Sequence, residues 1–187
     1  QQPFLLVDAA QSFGQIPVEE AASAADIYAF TGHKWACGPE GLGGVALSER
    51  VLAEARSWLG TPYRHQGGRK GVGCDCLGLV RGVWKGVYGT ETPEPGPYGA
   101  DWLAGGGSDP MIEAATRLCG PGFALSAALP GDLLVFRWRP DLPARHIGIL
   151  SHNGRFIHAY SGTGAVESAL VPGWRRRVAA AFAFPAP

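Results

Sequence analysis

The chain has 187 residues, in which 16 Lys and Arg balance 16 Asp and Glu. Zero net charge lacks the basic excess of a nucleic-acid-binding surface, and 46% hydrophobic against 17% charged residues excludes a disordered chain. No run approaches eighteen consecutive apolar residues, so no membrane-inserting helix is read, and Gln1-Gln2-Pro3-Phe4 shows no basic-then-apolar signal pattern.

The zero is a sum of unlike parts. Residues 1–50 carry six acids and two bases, net −4; residues 51–187 hold the other 10 acids and 14 bases, net +4. Such asymmetry raises the question of two different pieces in one chain.

Residues 4–8 form a short apolar run ending in Asp8, the pattern of a buried parallel strand with a polar group at its C-terminal end. Residues 18–25 suit a short helix, 26–30 a second strand, 38–44 a Gly/Pro loop and 45–47 a third strand. Three strands and one helix in under fifty residues fall short of a complete α/β domain, so this piece reads as truncated. At Ser48 the texture changes. Ser48 can cap a helix reaching Leu59 and stopped by Gly60, with Val51, Leu52, Ala55, Trp58 and Leu59 on one face. Residues 61–73 read as a basic, glycine-rich loop.

A second helix is expected over 75–88. Leu77, Leu79, Val80, Val83, Trp84 and Val87 cover most of its surface, leaving Arg81 and Lys85 on one stripe, which marks a central buried helix. Gly78, Gly82 and Gly86 cost helix propensity but let another element come close. Residues 90–107 are a Pro/Gly-rich excursion and 110–118 a third helix. After Pro130-Gly131, with Asp132 as a turn residue, strands are expected over 132–138, 146–150, 155–160, 165–170 and 177–184, joined by short turns as in an antiparallel sheet. Helices followed by strands imply an α+β domain over 48–187, preceded by the truncated piece 1–47.

The cysteines are Cys37, Cys74, Cys76 and Cys119, too few and too scattered for a disulfide scaffold. Cys76 begins the central helix, where free N–H groups and the helix dipole lower a thiol pKa and can hold an oxyanion. His146 and His158, on neighbouring strands, supply the residue types of a general base and an orienting group. Cys74, Cys76, His146 and His158 also have metal-ligand chemistry, but C-x-C is tighter than the usual zinc spacing, so no metal is expected. Cys74 reads as a small packed residue, and His33, His65 and His152 as bland for catalysis.

The series Thr61-Pro62-Tyr63, Cys74-Asp75-Cys76-Leu77-Gly78-Leu79, Pro130-Gly131-Asp132, His146-Ile147-Gly148-Ile149 and Phe156-Ile157-His158 resembles the NlpC/P60 family of papain-like cysteine peptidases over about residues 53–187. Gly73-Cys74-Asp75-Cys76-Leu77-Gly78-Leu79-Val80 and Trp174-Arg175-Arg176-Arg177 look most like its phage-tail and gene-transfer-agent members. The resemblance implies a papain-like α+β fold with N-terminal helices packed on an antiparallel sheet. It implies Cys76 as nucleophile, His146 as base and acid, His158 as orienting residue, and Tyr63, Asp75 and Leu77 at the substrate site. Leu77 stands where many members have Ser. The implied reaction is hydrolysis of peptidoglycan stem peptides beside γ-D-glutamyl–diaminopimelate, without cofactor. The implied setting is a phage-like tail or baseplate, with cytoplasmic synthesis and delivery to the periplasmic wall. Arg175-Arg176-Arg177 reads as a solvated face or a contact for an anionic wall polymer or tail partner. A non-catalytic docking module remains an alternative.

Residues 4–47 resemble the cofactor core of class V aminotransferases and cysteine desulfurases, through Val7-Asp8-Ala9-Ala10-Gln11, Thr31-Gly32-His33-Lys34-Trp35 and the glycines of 38–44. The resemblance implies Asp8 on the pyridine nitrogen of pyridoxal phosphate, Gln11 on the ring hydroxyl, His33 beside the ring and Lys34 as Schiff base. The phosphate loop, the stacking aromatic and the substrate arginine of such enzymes have no room in this chain, so these residues are read as vestigial.

Overall fold

A computed structural model of the protein describes residues 6–8, 27–31, 43–47, 50–95 and 109–185. Contacts divide the chain into two units, Gln1–Arg50 and Val51–Pro185. In the first, strand β1 (Leu6–Asp8) pairs in parallel with β2 (Ile27–Thr31), and β2 pairs antiparallel with β3 (Gly43–Leu47). The parallel pairing matches the sequence pattern, but the burial does not. Among the described residues β1 pairs with β2 alone, and Leu6 is 60% exposed and Asp8 exposed. The helix expected at 18–25 lies outside the described residues.

The second unit is built around its central helix. Helix α1 (Arg50–Arg56) buries Leu52 and Ala55, and its continuation turns through Gly60 (φ +82°). Helix α2 (Cys76–Tyr88) is capped by the Asp75 carboxylate at its start and by left-handed Gly89 at its end. The glycine stripe has the expected use. A side chain at Gly78 would strike the Gly67 carbonyl, and one at Gly82 would strike the Trp58 ring. Without Gly78, the loop that carries Asp75 could not lie against the helix start. Helix α3 (Pro110–Cys119) begins with Pro110 and is capped by Asp109.

The segment read as a plain loop over 61–73 carries a small ribbon, β4 (Gly68–Arg69) with β5 (Gly73–Cys74), and Tyr63 bridges to Cys74. Its two-residue strands are too short to show alternation. Five antiparallel strands then form the main sheet: β6 (Leu133–Phe136), β7 (His146–Ser151), β8 (Arg155–Tyr160), β9 (Gly164–Ala169) and β10 (Val178–Phe182), in the order β10-β6-β7-β8-β9. The Pro-Gly-Asp turn sets the register of β6 on β7. Gly131 N–H donates to the Leu150 carbonyl at 2.8 Å, and Leu150 N–H to the Asp132 carbonyl at 2.7 Å.

Alternation gives the sheet two apolar faces. Val135, Ile147, Ile149 and Ile157 pack with Leu79 and Val83 of α2. Leu134, Phe136, Leu150 and Phe156 form the other cluster, onto which the short helix α4 (Pro172–Arg175) lays Trp174. Each fully buried Leu, Ile or Phe contributes about 1.5–3 kcal/mol of transfer free energy, so both faces are strongly committed.

Candidate active site

Asp75 organises the helix start. It is 3% exposed; one carboxylate oxygen accepts from Gly78 N–H at 2.8 Å and the other from Gln66 N–H at 2.7 Å. The second bond pins a residue in the left-handed region (Gln66, φ +58°) and so holds the 64–75 loop against α2. His65, half exposed, approaches the same carboxylate at 3.7 Å. Cys76 follows as the first helical residue, half-buried, its sulfur hydrogen-bonded to the backbone of Ile147 as well as Leu77 and Cys76 itself. Ile147 is the second residue of β7, so the sulfur meets the strand one residue, about 3.8 Å along the chain, from His146.

His146 and His158 project from neighbouring strands onto the sheet face of Phe136 and Phe156. His146 Nε2 lies 2.8 Å from His158 Nδ1, and His158 Nε2 lies 2.9 Å from Ser168 Oγ on β9. Both rings are boxed by aromatics. Phe156 stacks on His158 at 4.2 Å, Trp174 meets both imidazoles at 5.4 Å, and Trp138 stacks on His146 at 6.3 Å. Gly148 stands beside His158; any side chain there would press on the His158 Cβ and the Phe156 ring.

These surroundings set the charges. Burial, then His158, pushes His146 down to about 3, and burial takes His158 down to about 4, so both rings are neutral near pH 7. Burial and the Asp75 carboxylate push the Cys76 thiol up to about 12, while its backbone hydrogen bonds act in the other direction. The lowering expected from the helix start is therefore corrected. Asp75 places a negative charge at the positive end of the dipole and takes up the Gly78 N–H, and the sulfur is desolvated besides. Burial first, then Asp75 and Cys76, also raises the Tyr63 phenol.

The residues singled out from sequence are thus distributed unevenly. His146 and His158 touch, Cys76 reaches the adjoining residue of β7, and Tyr63, 36% exposed, lies beside Asp75 and Cys76. Asp75, read as a substrate contact, is enclosed and spends its oxygens on backbone N–H groups. Leu77 turns with Ile147 and Leu133 into an apolar cavity of about 120 Å³. Cys74 is fully buried, as a packed residue should be. Of the cofactor-like set only Asp8 is described; Gln11, His33 and Lys34 lie outside the described residues. Ser168 was not anticipated. Its only sequence signal is its place on a strand that pairs with the one bearing His158. Among the described residues, no group of three His, Cys, Asp or Glu side chains is arranged to hold a metal, and no helix is long and apolar enough to cross a membrane.

Residues 60–182 match the profile of the NlpC/P60 family, and residues 1–66 that of class-V aminotransferases. The chain is 28% identical over 134 residues to the murein DD-endopeptidase MepS/murein LD-carboxypeptidase of Escherichia coli K12, a match covering 71% of this chain and 61% of that relative. It thus spans about three fifths of the relative's length. The crystal structure of the NlpC/p60 domain of the peptidoglycan hydrolase SagA superposes with a TM-score of 0.51 at 26% identity, covering 72% of this chain and 96% of that one. A 56-residue stretch is 41% identical to a probable cysteine desulfurase of Mycolicibacterium paratuberculosis, covering 30% of this chain but 8% of that protein.

Proposed function

The chain belongs to the NlpC/P60 family through residues 60–182, and from that premise we propose that residues 48–187 are a cysteine peptidase that hydrolyses peptidoglycan stem peptides next to γ-D-glutamyl–diaminopimelate. The observation that carries this reading is the buried His146–His158 contact of 2.8 Å at the start of β7, where the Ile147 backbone meets the Cys76 sulfur. The printed names of MepS and SagA, a murein endopeptidase and a peptidoglycan hydrolase, support the substrate class.

At rest the proton sits on the Cys76 sulfur, since the thiol is raised and both imidazoles are lowered. With Nε2 of His146 engaged by His158, Nδ1 is the nitrogen left to take the thiol proton. As it does so, the sulfur attacks the amide carbon. The oxygen of the tetrahedral intermediate is stabilised by the backbone N–H groups of Cys76 and Leu77, which hydrogen-bond the sulfur at rest and turn to the oxyanion as charge passes from sulfur to the carbonyl oxygen, that of Gly78 being committed to Asp75. The C–N bond breaks as His146 returns its proton to the leaving amine. Water, deprotonated by His146, then hydrolyses the thioester and the thiol is restored.

Tyr63 lines the acyl side of the site, and Asp75 serves it by fixing the helix start. Asp8, the one described member of the cofactor-like set, is exposed at the end of β1 and takes no part in this reaction. The tail-like sequence features point to a phage-like tail or baseplate as carrier, delivering the enzyme to the periplasmic wall. Mass spectrometry of muropeptides after incubation tests the core of the reading. Wild type should release cleaved stem peptides, and Cys76→Ala should lower the rate about 10⁴-fold or more. Equal cleavage by both would exclude Cys76 as nucleophile, and cleavage by neither would favour a docking module.

A further inference from the structure

Beside the imidazoles lies a groove that the reaction above does not use. It runs between the end of β6 and the start of β10, is lined by Arg137, Trp138, Arg139, Arg176 and Val178, and encloses about 250 Å³. Trp138, 41% exposed, forms one wall. Its inner face stacks on His146, with ring planes 15° apart, and Arg177 lies over the indole at 4.8 Å. That one ring is shared by the wall of the groove and the stack on His146.

Four arginines here face two acids. Arg137 is held by Asp109 at 3.3 Å, and the same Asp109 oxygen accepts from Ala144 N–H at 2.9 Å, so this pair is built into the fold. Arg139 and Asp141 pair at 2.7 Å with both side chains more than half exposed. Such an exposed pair is weak and exchanges readily for another carboxylate. Arg176 and Arg177 are exposed. An aromatic plane bordered by guanidiniums suits a flat anion, since a guanidinium fork grips a carboxylate through two parallel N–H bonds.

We infer that this groove binds a carboxylate carried by the leaving-amine half of the substrate. The inference rests on the peptidase reading above, because it takes its direction from the reaction. The residue that protonates the leaving amine must lie beside that amine, and His146 is that residue. A groove joined to His146 through Trp138 therefore lies on the amine side of the scissile bond, whereas Tyr63 and the start of α2 lie on the acyl side. Diaminopimelate carries carboxylates on that side, which gives the exposed Arg176 and Arg177 a place in recognition.

The test uses two synthetic peptides containing γ-D-glutamyl–diaminopimelate, one with the diaminopimelate carboxylate free and one with it as a carboxamide. Wild type should cleave the free acid with kcat/KM about tenfold higher, mainly through KM, and salt should shrink the difference. In Arg139→Gln/Arg176→Gln the ratio should fall towards one. Equilibrium binding of both peptides to Cys76→Ala, measured alongside, separates the two readings. Selective binding without wild-type turnover would support the groove and overturn the peptidase. Turnover with equal use of both peptides, or a preference that survives the double substitution, would overturn the groove. Neither turnover nor selectivity would overturn both.

Discussion

The two halves of the proposed reacting pair sit in opposite surroundings. Cys76 is held by a polar turn, in which the enclosed Asp75 carboxylate ties together Gln66, Gly78 and the first turn of α2. His146 and His158 are held in an aromatic box of Phe136, Phe156, Trp138 and Trp174. Yet each environment favours the uncharged form: the thiol is pushed up by burial and a neighbouring anion, the imidazoles down by burial. What the contrast teaches is that the resting site is neutral, not a thiolate–imidazolium pair. In the proposed mechanism charge separation then falls in the step where sulfur meets carbonyl, where the helix-start N–H groups would stabilise it.

The aromatic half predicts the largest effect. A His that titrates near 6.5 in the unfolded chain and near 3 or 4 in the folded one binds protons more readily when unfolded. Stability is therefore full above about pH 6.5 and is lost as pH falls from there towards 4, by about 3 kcal/mol for each ring. Urea midpoints taken at a series of pH values should show this slope, and His158→Asn should roughly halve it, since His146 stays buried. A midpoint unchanged between pH 7 and 4.5 would mean that the imidazoles are not held neutral.

The polar half predicts a smaller loss of stability and an opposite change in reactivity. Asp75→Ala removes a helix cap and leaves the Gln66 and Gly78 N–H groups without their acceptor, a cost of about 2 kcal/mol. It also removes the anion beside the sulfur, so the Cys76 thiol should titrate lower and react faster with iodoacetamide at pH 8. Burial, the larger cause, remains, and the shift should be partial. Unchanged alkylation would assign the raised thiol to burial alone.

Much of this site was legible before the fold, because its parts are local. Cys76 at the start of the central helix and the Gly78 stripe follow from spacing along one helix, and His146 and His158 from their places on two neighbouring strands, whereas Asp75, read as a substrate contact, is the helix cap. What escaped depended on contacts distant in sequence. Nothing in 61–73 announced that Gln66 would turn back onto Asp75, and no propensity marked α4, whose Trp174 closes the box from the far end of the chain. The thiol was misjudged for the same reason. A dipole can be read from a helix start, but the burial of the sulfur, which the Ile147 hydrogen bond only partly offsets, requires the folded chain.

Ser168 is the smallest lever and the most specific. For His146 to accept a proton at Nδ1, its Nε2 must carry hydrogen and donate to His158 Nδ1. His158 must then carry its own hydrogen on Nε2, and Ser168 Oγ at 2.9 Å is the acceptor that keeps it there. The reverse tautomer chain would put hydrogen on His146 Nδ1 and disable the base. Ser168→Ala should therefore lower kcat about tenfold with little change in KM, an effect of about 1.4 kcal/mol. Ser168→Thr, which keeps the hydroxyl, should restore most of it. Nitrogen-15 shifts of His158 would follow the tautomer directly: an Nε2–H form in the wild type that becomes mixed in Ser168→Ala matches this role. A rate loss that Thr does not rescue, with the tautomer unmoved, would reduce Ser168 to packing on β9.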